Sequence, residues 1–342
     1  MPETDLRFAS GAQTLAGSLL TPAGPGPFPA VLLISGSGPL DRNSDHRRAP
    51  LGVSRYLAEA LAARGIASLR YDKRGAGAST GTFLTAGLED NIADAQAALA
   101  ALAARPEVTA DRLFVAGHSE GAVIATAVAA RDGAAPTAGD GAVSGDGAAS
   151  GDGAASGAAR AGDALAGVVL LAGPARPGSE VLLWQAAQIA PTLPAPVRLL
   201  LRLLRVDLVT KVARNHERLR RSTTDVIRMG GARINAKWSR EYLDHDPAAD
   251  LARLRVPVCA LTGDKDLQVD VDDLDRIAHL VTAPVEVHRL RDVTHLLRRE
   301  DGPASLRTYK KQARRPVDPE VLEIVTGWVA ARAADVAGRA HA

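Results

Sequence analysis

Apolar residues along the 342-residue chain gather in short dense runs, separated by longer stretches in which they recur at helical spacing. The runs Ala30 to Ile34, Ile66 to Tyr71, Leu113 to Ala116, Val168 to Leu171 and Val256 to Thr262 have the pattern of strands buried on both faces of a parallel sheet. Between them, Leu51 to Arg64, Leu88 to Ala104, Glu120 to Arg131 and Val271 to Val281 read as helices; a last strand, Val285 to Leu290, and a helix, Pro319 to Ala334, close the chain. At the front, Asp5 to Ala9 and Gln13 to Leu20 alternate about Ser10-Gly11-Ala12, which predicts an antiparallel hairpin. The alternation of strand and helix predicts an α/β fold: an open, mostly parallel central sheet with helices on both faces and right-handed crossovers. In such a sheet, reacting groups collect at the carboxyl ends of the strands.

Two segments break this rhythm. Gly133 to Asp163 is almost all Gly, Ala, Ser and Asp, with three successive hexapeptides, Gly139 to Ser144, Gly145 to Ser150 and Gly151 to Ser156. It resembles calcium-binding β-roll repeats but lacks the large apolar residue that each repeat needs for stacking, so a flexible surface insertion is expected. The second segment, from about Pro174 to Asp246, reads as helical, with Leu199, Leu200, Leu203, Leu204 and Leu208 forming a broad apolar face. Between Arg176 and Asp244 it holds 13 Lys or Arg against 6 Asp or Glu, a net +7. A helical cap packed over the core accounts for this; attraction of an anionic substrate or of an acidic membrane surface is the alternative. The expected organisation is a core from 1 to 173 interrupted at 133–163, a cap at 174–248, and the rest of the core at 249–342.

Composition narrows the setting. With 46 % hydrophobic and 23 % charged residues the chain is an ordinary globular one, and a net charge of +2 gives no reason to expect nucleic acid. A lone Cys259 excludes an intrachain disulfide, and Met1-Pro2-Glu3-Thr4-Asp5 lacks the basic-then-apolar pattern of a signal peptide, so a cytoplasmic location is expected. The longest apolar stretches, such as Ala164 to Ala172, fall short of the roughly 20 residues that span a bilayer. No integral membrane segment is expected.

The chemistry centres on Gly117-His118-Ser119-Glu120-Gly121, which lies between a strand run and a helix. A serine in a strand-turn-helix junction this tight needs small flanking residues, and its hydroxyl is lifted over the N-terminus of the following helix. A serine hydroxyl also needs a base and an orienting acid. His295 follows the last strand, while Asp264 and Asp266 both follow the strand Val256 to Thr262, with spacing favouring Asp266. His118 reads as a packing residue and His288 as a strand residue. Asp41, Arg42, Asp72, Lys73 and Arg74 read as structural ion pairs, with Arg42 or Arg74 alternatively binding a substrate carboxylate. Gly75 to Thr80 has Thr80 where a dinucleotide fingerprint needs its third glycine, the P-loop pattern is absent, and no His, Cys and carboxylate group has metal spacing. Neither cofactor nor metal is expected.

Four segments together resemble the α/β-hydrolase superfamily, specifically its bacterial serine esterases: Ser35 to Asn43, Tyr71 to Ser79, Gly117 to Gly121 and Gly263 to Val269, with His295 after the last strand. The chain departs from many relatives at Ser35, where they carry histidine, and at Ala122, where they often carry glycine. The resemblance implies an α/β-hydrolase fold with a helical cap, a Ser119-His295-Asp266 triad in that family's chain order, and the backbone amides of Ser37 and Glu120 as oxyanion donors. It implies hydrolysis of a small-molecule acyl ester through an acyl-enzyme; thioester hydrolysis, acyl transfer and peptide cleavage use the same machinery, and a binding protein on the same scaffold is the non-catalytic alternative. An aromatic content of 3 % favours aliphatic pocket walls and short to medium acyl chains. Deleting Gly133 to Asp163 is expected to cost little activity; hydrogen-exchange protection across Gly139 to Gly157 would contradict the reading of that segment.

Overall fold

A computed structural model describes residues 1–47, 49–132 and 165–340. The strands are β1 (Glu3–Ser10), β2 (Gln13–Leu20), β3 (Phe28–Ile34), β4 (Ala67–Tyr71), β5 (Val108–His118), β6 (Leu165–Leu171), the short pair β7 (Val226–Met229) and β8 (Ala232–Asn235), then β9 (Val258–Gly263) and β10 (Val285–Leu290). All but the short pair form one sheet in the order β1-β2-β4-β3-β5-β6-β9-β10. β1 pairs antiparallel with β2, and β2 with β4; every other neighbour is parallel. The helices are α1 (Val53–Ala63), α2 (Leu88–Ala103), α3 (Glu120–Asp132), α4 (Gly178–Ile189), α5 (Ala195–Leu203), α6 (Leu208–Arg220), α7 (Ala236–Asp244), α8 (Pro247–Leu251), α9 (Asp273–Leu280), α10 (Tyr309–Gln312) and α11 (Pro319–Ala340). The hexapeptide insertion lies outside the described residues.

The dense apolar runs arise because both faces of the sheet are covered. Successive strand side chains point to opposite faces. Leu32, Leu69, Val115 and Val168 pack under Ile92 and Leu99 of α2 and Val128 of α3. Their neighbours Val31, Leu33, Phe114 and Val169 pack under Leu57 and Leu61 of α1 and Val325 and Trp328 of α11. No described helix is long and apolar enough to cross a membrane.

Between β6 and β9 the structure departs from the helical expectation in two ways. First, β7 and β8 form an antiparallel hairpin closed by Gly230 and Gly231, both in the left-handed region at φ 55° and 81°. Two glycines between short β-branched runs are a hairpin signal, overlooked in a segment otherwise rich in helix formers. Second, the leucine face of α5 is not packed on the core: Leu199, Leu200, Leu203 and Leu204 are 54 to 71 % exposed, and no residue of the helix is buried. The segment is anchored further along, at α7. Asn235 caps that helix and donates from Nδ2 to Ala86 O (2.8 Å), Lys237 pairs with Asp90 (2.7 Å), and Glu241 accepts from the Glu89 amide at the start of α2 (2.9 Å). Leu203→Gln is expected to shift stability by no more than about 0.5 kcal/mol, and Leu69→Ala in the sheet to cost about 2–5 kcal/mol; urea unfolding of both variants checks the contrast.

Candidate active site

Steric constraint builds the site. β5 ends at His118 and α3 begins at Glu120, which leaves Ser119 alone to reverse the chain at φ 58°. That left-handed conformation is strained for a residue with a side chain and persists only where its surroundings enforce it. Here the Ser119 amide donates to Leu171 O of β6 (2.8 Å), and the Ala122 amide donates to Ser119 O (2.9 Å). A Cβ on Gly117 would lie 1.9 Å from Gly121 O, and one on Gly121 would lie 2.2 Å from Ile34 O of β3. Both flanks therefore have to be glycine.

His295 reaches the serine from the loop after β10. Its Nε2 lies 3.0 Å from Ser119 Oγ and its Nδ1 2.8 Å from Asp266 Oδ2. Asp266 comes from the loop after β9 and is held in turn by the amides of Gln268 (2.7 Å) and Val269 (3.0 Å), which donate to Oδ1. A carboxylate on Nδ1 selects the tautomer protonated there, and leaves the Nε2 lone pair to accept the serine proton. Asp264, the rival acid, accepts instead from the Asp292 amide (2.7 Å) and does not touch the imidazole. His288 sits in β10 beside Glu286, away from the serine.

His118 has a more specific position than packing required. Its Nε2 lies 2.8 Å from the carbonyl oxygen of His295, with the two rings 5.0 Å apart. Burial, with the adjacent His295 adding to it, pushes the pKa of His118 down to about 3, so the neutral ring donates and pins the backbone of the other histidine. The same loop is tied by Thr294, which donates to Gln312 Oε1 (2.6 Å), and by the buried Arg298, which donates to the carbonyls of Leu296 and Leu51.

The amides of Ser37 and Glu120 donate to no acceptor among the described residues. Glu120 is the first residue of α3, where helical amides lack partners within the helix. Gly36 brings the first of these peptides against the elbow, since a Cβ there would lie 3.4 Å from Ser119 Cβ. Behind the elbow, the buried Glu120 carboxylate accepts on Oε1 from Trp238 Nε1 (3.0 Å), Asn91 Nδ2 (3.1 Å) and Lys73 Nζ (3.4 Å). Lys73 also donates to Gly36 O (3.0 Å). Asn91 and Trp238 carried no sequence signal, because an asparagine in α2 and a tryptophan in α7 meet only through tertiary packing. Lys73 lay inside a recognised segment but was read only as part of an ion pair.

Of the other charged residues of the first two motifs, Asp41 departs from the ion-pair reading: its Oδ1 accepts from the amides of Asn43 (2.9 Å) and Asp45 (3.0 Å) and so closes its own loop, while the rest are ion-paired. Arg42 holds Asp72 (2.9 Å) and Asp5 (2.8 Å), and Arg74 holds Asp90 (2.9 Å) and Asp94 (2.8 Å). Both guanidiniums are therefore engaged, which favours the ion-pair reading over carboxylate binding. The Cys259 thiol is buried in β9, which pushes it up to about 12 and keeps it protonated.

An eight-stranded, mostly parallel sheet with a serine elbow after its central strand defines the α/β-hydrolase class of fold, and the chain has that fold. Residues 51–144 match the family model for serine aminopeptidase, S33. The chain is 27 % identical to esterase EstD of Thermotoga maritima over 322 residues, which is 92 % of this chain but only 65 % of that protein's length. Among solved structures, Est1E of Butyrivibrio proteoclasticus with bound ferulic acid superposes with a TM-score of 0.58 at 16 % identity, covering 97 % of this chain and 99 % of that one. Proline iminopeptidase of Mycobacterium smegmatis gives a TM-score of 0.56 at 14 % identity, over 97 % and 99 % of the two chains.

The depressed pKa of His118 carries a pH signature. Between its ordinary value of 6.5 and about 3, the unfolded chain binds a proton that the folded one excludes, so this residue lowers stability progressively as pH falls through that window. The urea midpoint is expected to drop between pH 7 and pH 4.5, and His118→Gln to show a smaller drop.

Proposed function

We propose that the protein is a serine hydrolase that cleaves carboxylic esters through an acyl-enzyme, with Ser119 as nucleophile, His295 as general base and acid, and Asp266 as the orienting carboxylate. One observation carries this reading: the continuous chain of contacts from Ser119 Oγ to His295 Nε2 (3.0 Å) and from His295 Nδ1 to Asp266 Oδ2 (2.8 Å). Both lengths suit proton transfer without rearrangement.

In the first step Ser119 Oγ attacks the ester carbonyl while its proton passes to Nε2. Asp266 then faces an imidazolium, whose charge it stabilises. The tetrahedral oxygen takes its hydrogen bonds from the Ser37 and Glu120 amides, with the positive end of α3 adding to the second. Return of the proton from Nε2 to the alkoxide releases the alcohol, and water then repeats both steps on the acyl-enzyme. Residues 174–248 act as a cap over the acyl group in this reading, anchored to the core through α7.

Ester rather than peptide chemistry is favoured by the relative that matches almost the whole chain, which is named an esterase. The family model over residues 51–144 is described as an aminopeptidase and supports the peptidase reading. Rates on nitrophenyl esters of graded chain length, set beside amino-acid nitroanilides, separate the two. Ser119→Ala is expected to lower kcat on the preferred ester by about four to six powers of ten and to leave the unfolding midpoint near that of the parent. A variant turning over at more than a tenth of the parent rate would refute the assignment of Ser119.

A further inference from the structure

We propose that Lys73 is a positioning residue of the oxyanion hole, which fixes the peptide that presents the Ser37 N–H and is itself held by the carboxylate of Glu120, the residue that presents the second N–H. This rests on the acyl-transfer reading above.

Lys73 follows β4 and runs its side chain inward until only 5 % of it is exposed. Its ammonium donates to Gly36 O at 3.0 Å and to Glu120 Oε1 at 3.4 Å. Gly36 O and the Ser37 N–H belong to one trans peptide unit, in which carbonyl and amide point in opposite directions. A cation clamped on the oxygen from the interior therefore turns the N–H away from the interior. It also draws electron density through the peptide toward the carbonyl, which strengthens the N–H as a donor. Gly36 contacts the elbow closely enough that a Cβ would meet His118 O at 3.3 Å and Ser119 Cβ at 3.4 Å, so a rotation of this peptide would be felt at the nucleophile.

The second half of the clamp concerns charge. Glu120 is adjacent to the nucleophile and its carboxylate is buried, with Oε2 lacking a hydrogen-bond partner. An uncompensated carboxylate there would oppose the negative oxygen of the tetrahedral intermediate, because Coulomb repulsion is poorly screened away from water. The Lys73 ammonium offsets that charge. The two oxyanion donors come from the loop after β3 and the first residue of α3, yet one lysine ties them together: by a backbone oxygen on one side and by a side-chain carboxylate on the other. A purely structural ion pair would make the same Lys73–Glu120 contact but would not make the rate depend on the Gly36 bond.

The test is the rate at which a fluorophosphonate labels Ser119, since its phosphoryl oxygen enters the same hole and no knowledge of the natural ester is needed. Glu120→Gln is compared with the double variant Lys73→Met, Glu120→Gln, which removes both charges and so avoids stranding a buried carboxylate. The proposal expects the double variant to label at least tenfold more slowly than Glu120→Gln, with the two unfolding cooperatively at similar midpoints. Labelling of the double variant within twofold of Glu120→Gln overturns the proposal while leaving the hydrolase reading intact; a double variant that does not fold assigns the pair to stability and overturns it equally. A folded parent protein that is not labelled at Ser119 defeats the hydrolase reading itself, and the proposal with it.

Discussion

The structure turns on how closely three backbone segments approach at the end of β5. Gly117 and Gly121 leave no room for a Cβ, the amide of Ser119 is fastened to β6, and the carbonyl of Ile34 in β3 presses on Gly121. Those contacts hold Ser119 in a left-handed conformation that it would not adopt alone, and so project its hydroxyl beyond the sheet. Rigidity of the surrounding sheet makes this possible, because a strained residue survives only where its neighbours over-determine it. The same packing brings the start of α3 beneath the serine, and with it the Glu120 amide.

From that fixed point the other groups converge along strand ends. Parallel strands terminate at one rim, so loops after β3, β4, β5, β9 and β10 meet there although they are far apart in sequence. Convergence alone does not set hydrogen-bond distances. Those depend on a second layer of contacts: His118 on the His295 carbonyl, Gln268 and Val269 amides on Asp266, and Lys73 on the Gly36 carbonyl. Each of these partners restrains a group that faces the serine, and each is itself buried or part of a backbone turn. A site preorganised in this way need not reorganise as charge develops.

Much of this was legible beforehand, for identifiable reasons. The elbow could be read because its steric demands act over five consecutive residues, and the sheet because burial on both faces forces unbroken apolar runs. His295 and the two candidate aspartates could be placed in loops after their strands, since chain order and strand position suffice for that. The choice between Asp264 and Asp266 could not be made by spacing alone, because both sit on the same loop; the turn that gives Asp264 to the Asp292 amide and Asp266 to the imidazole depends on how two loops pack. The β7–β8 hairpin was missed among helix-forming neighbours, and α5 presents leucines to solvent where amphipathic spacing pointed to a core. Spacing shows that a helix has an apolar face; it cannot show that anything covers it.

By itself the sequence determined what local sterics and periodicity control: an alternating α/β chain, a serine elbow flanked by glycines, and the set of residues able to stand near it. Tertiary structure alone decided which aspartate meets the histidine, that His118 holds the backbone of His295, and that Lys73, Asn91 and Trp238 converge on Glu120. The division follows from range. A backbone constraint or a hydrophobic period acts within a few residues and leaves its mark there, whereas hydrogen bonds between groups 29 to 177 positions apart exist only once the sheet has ordered both ends.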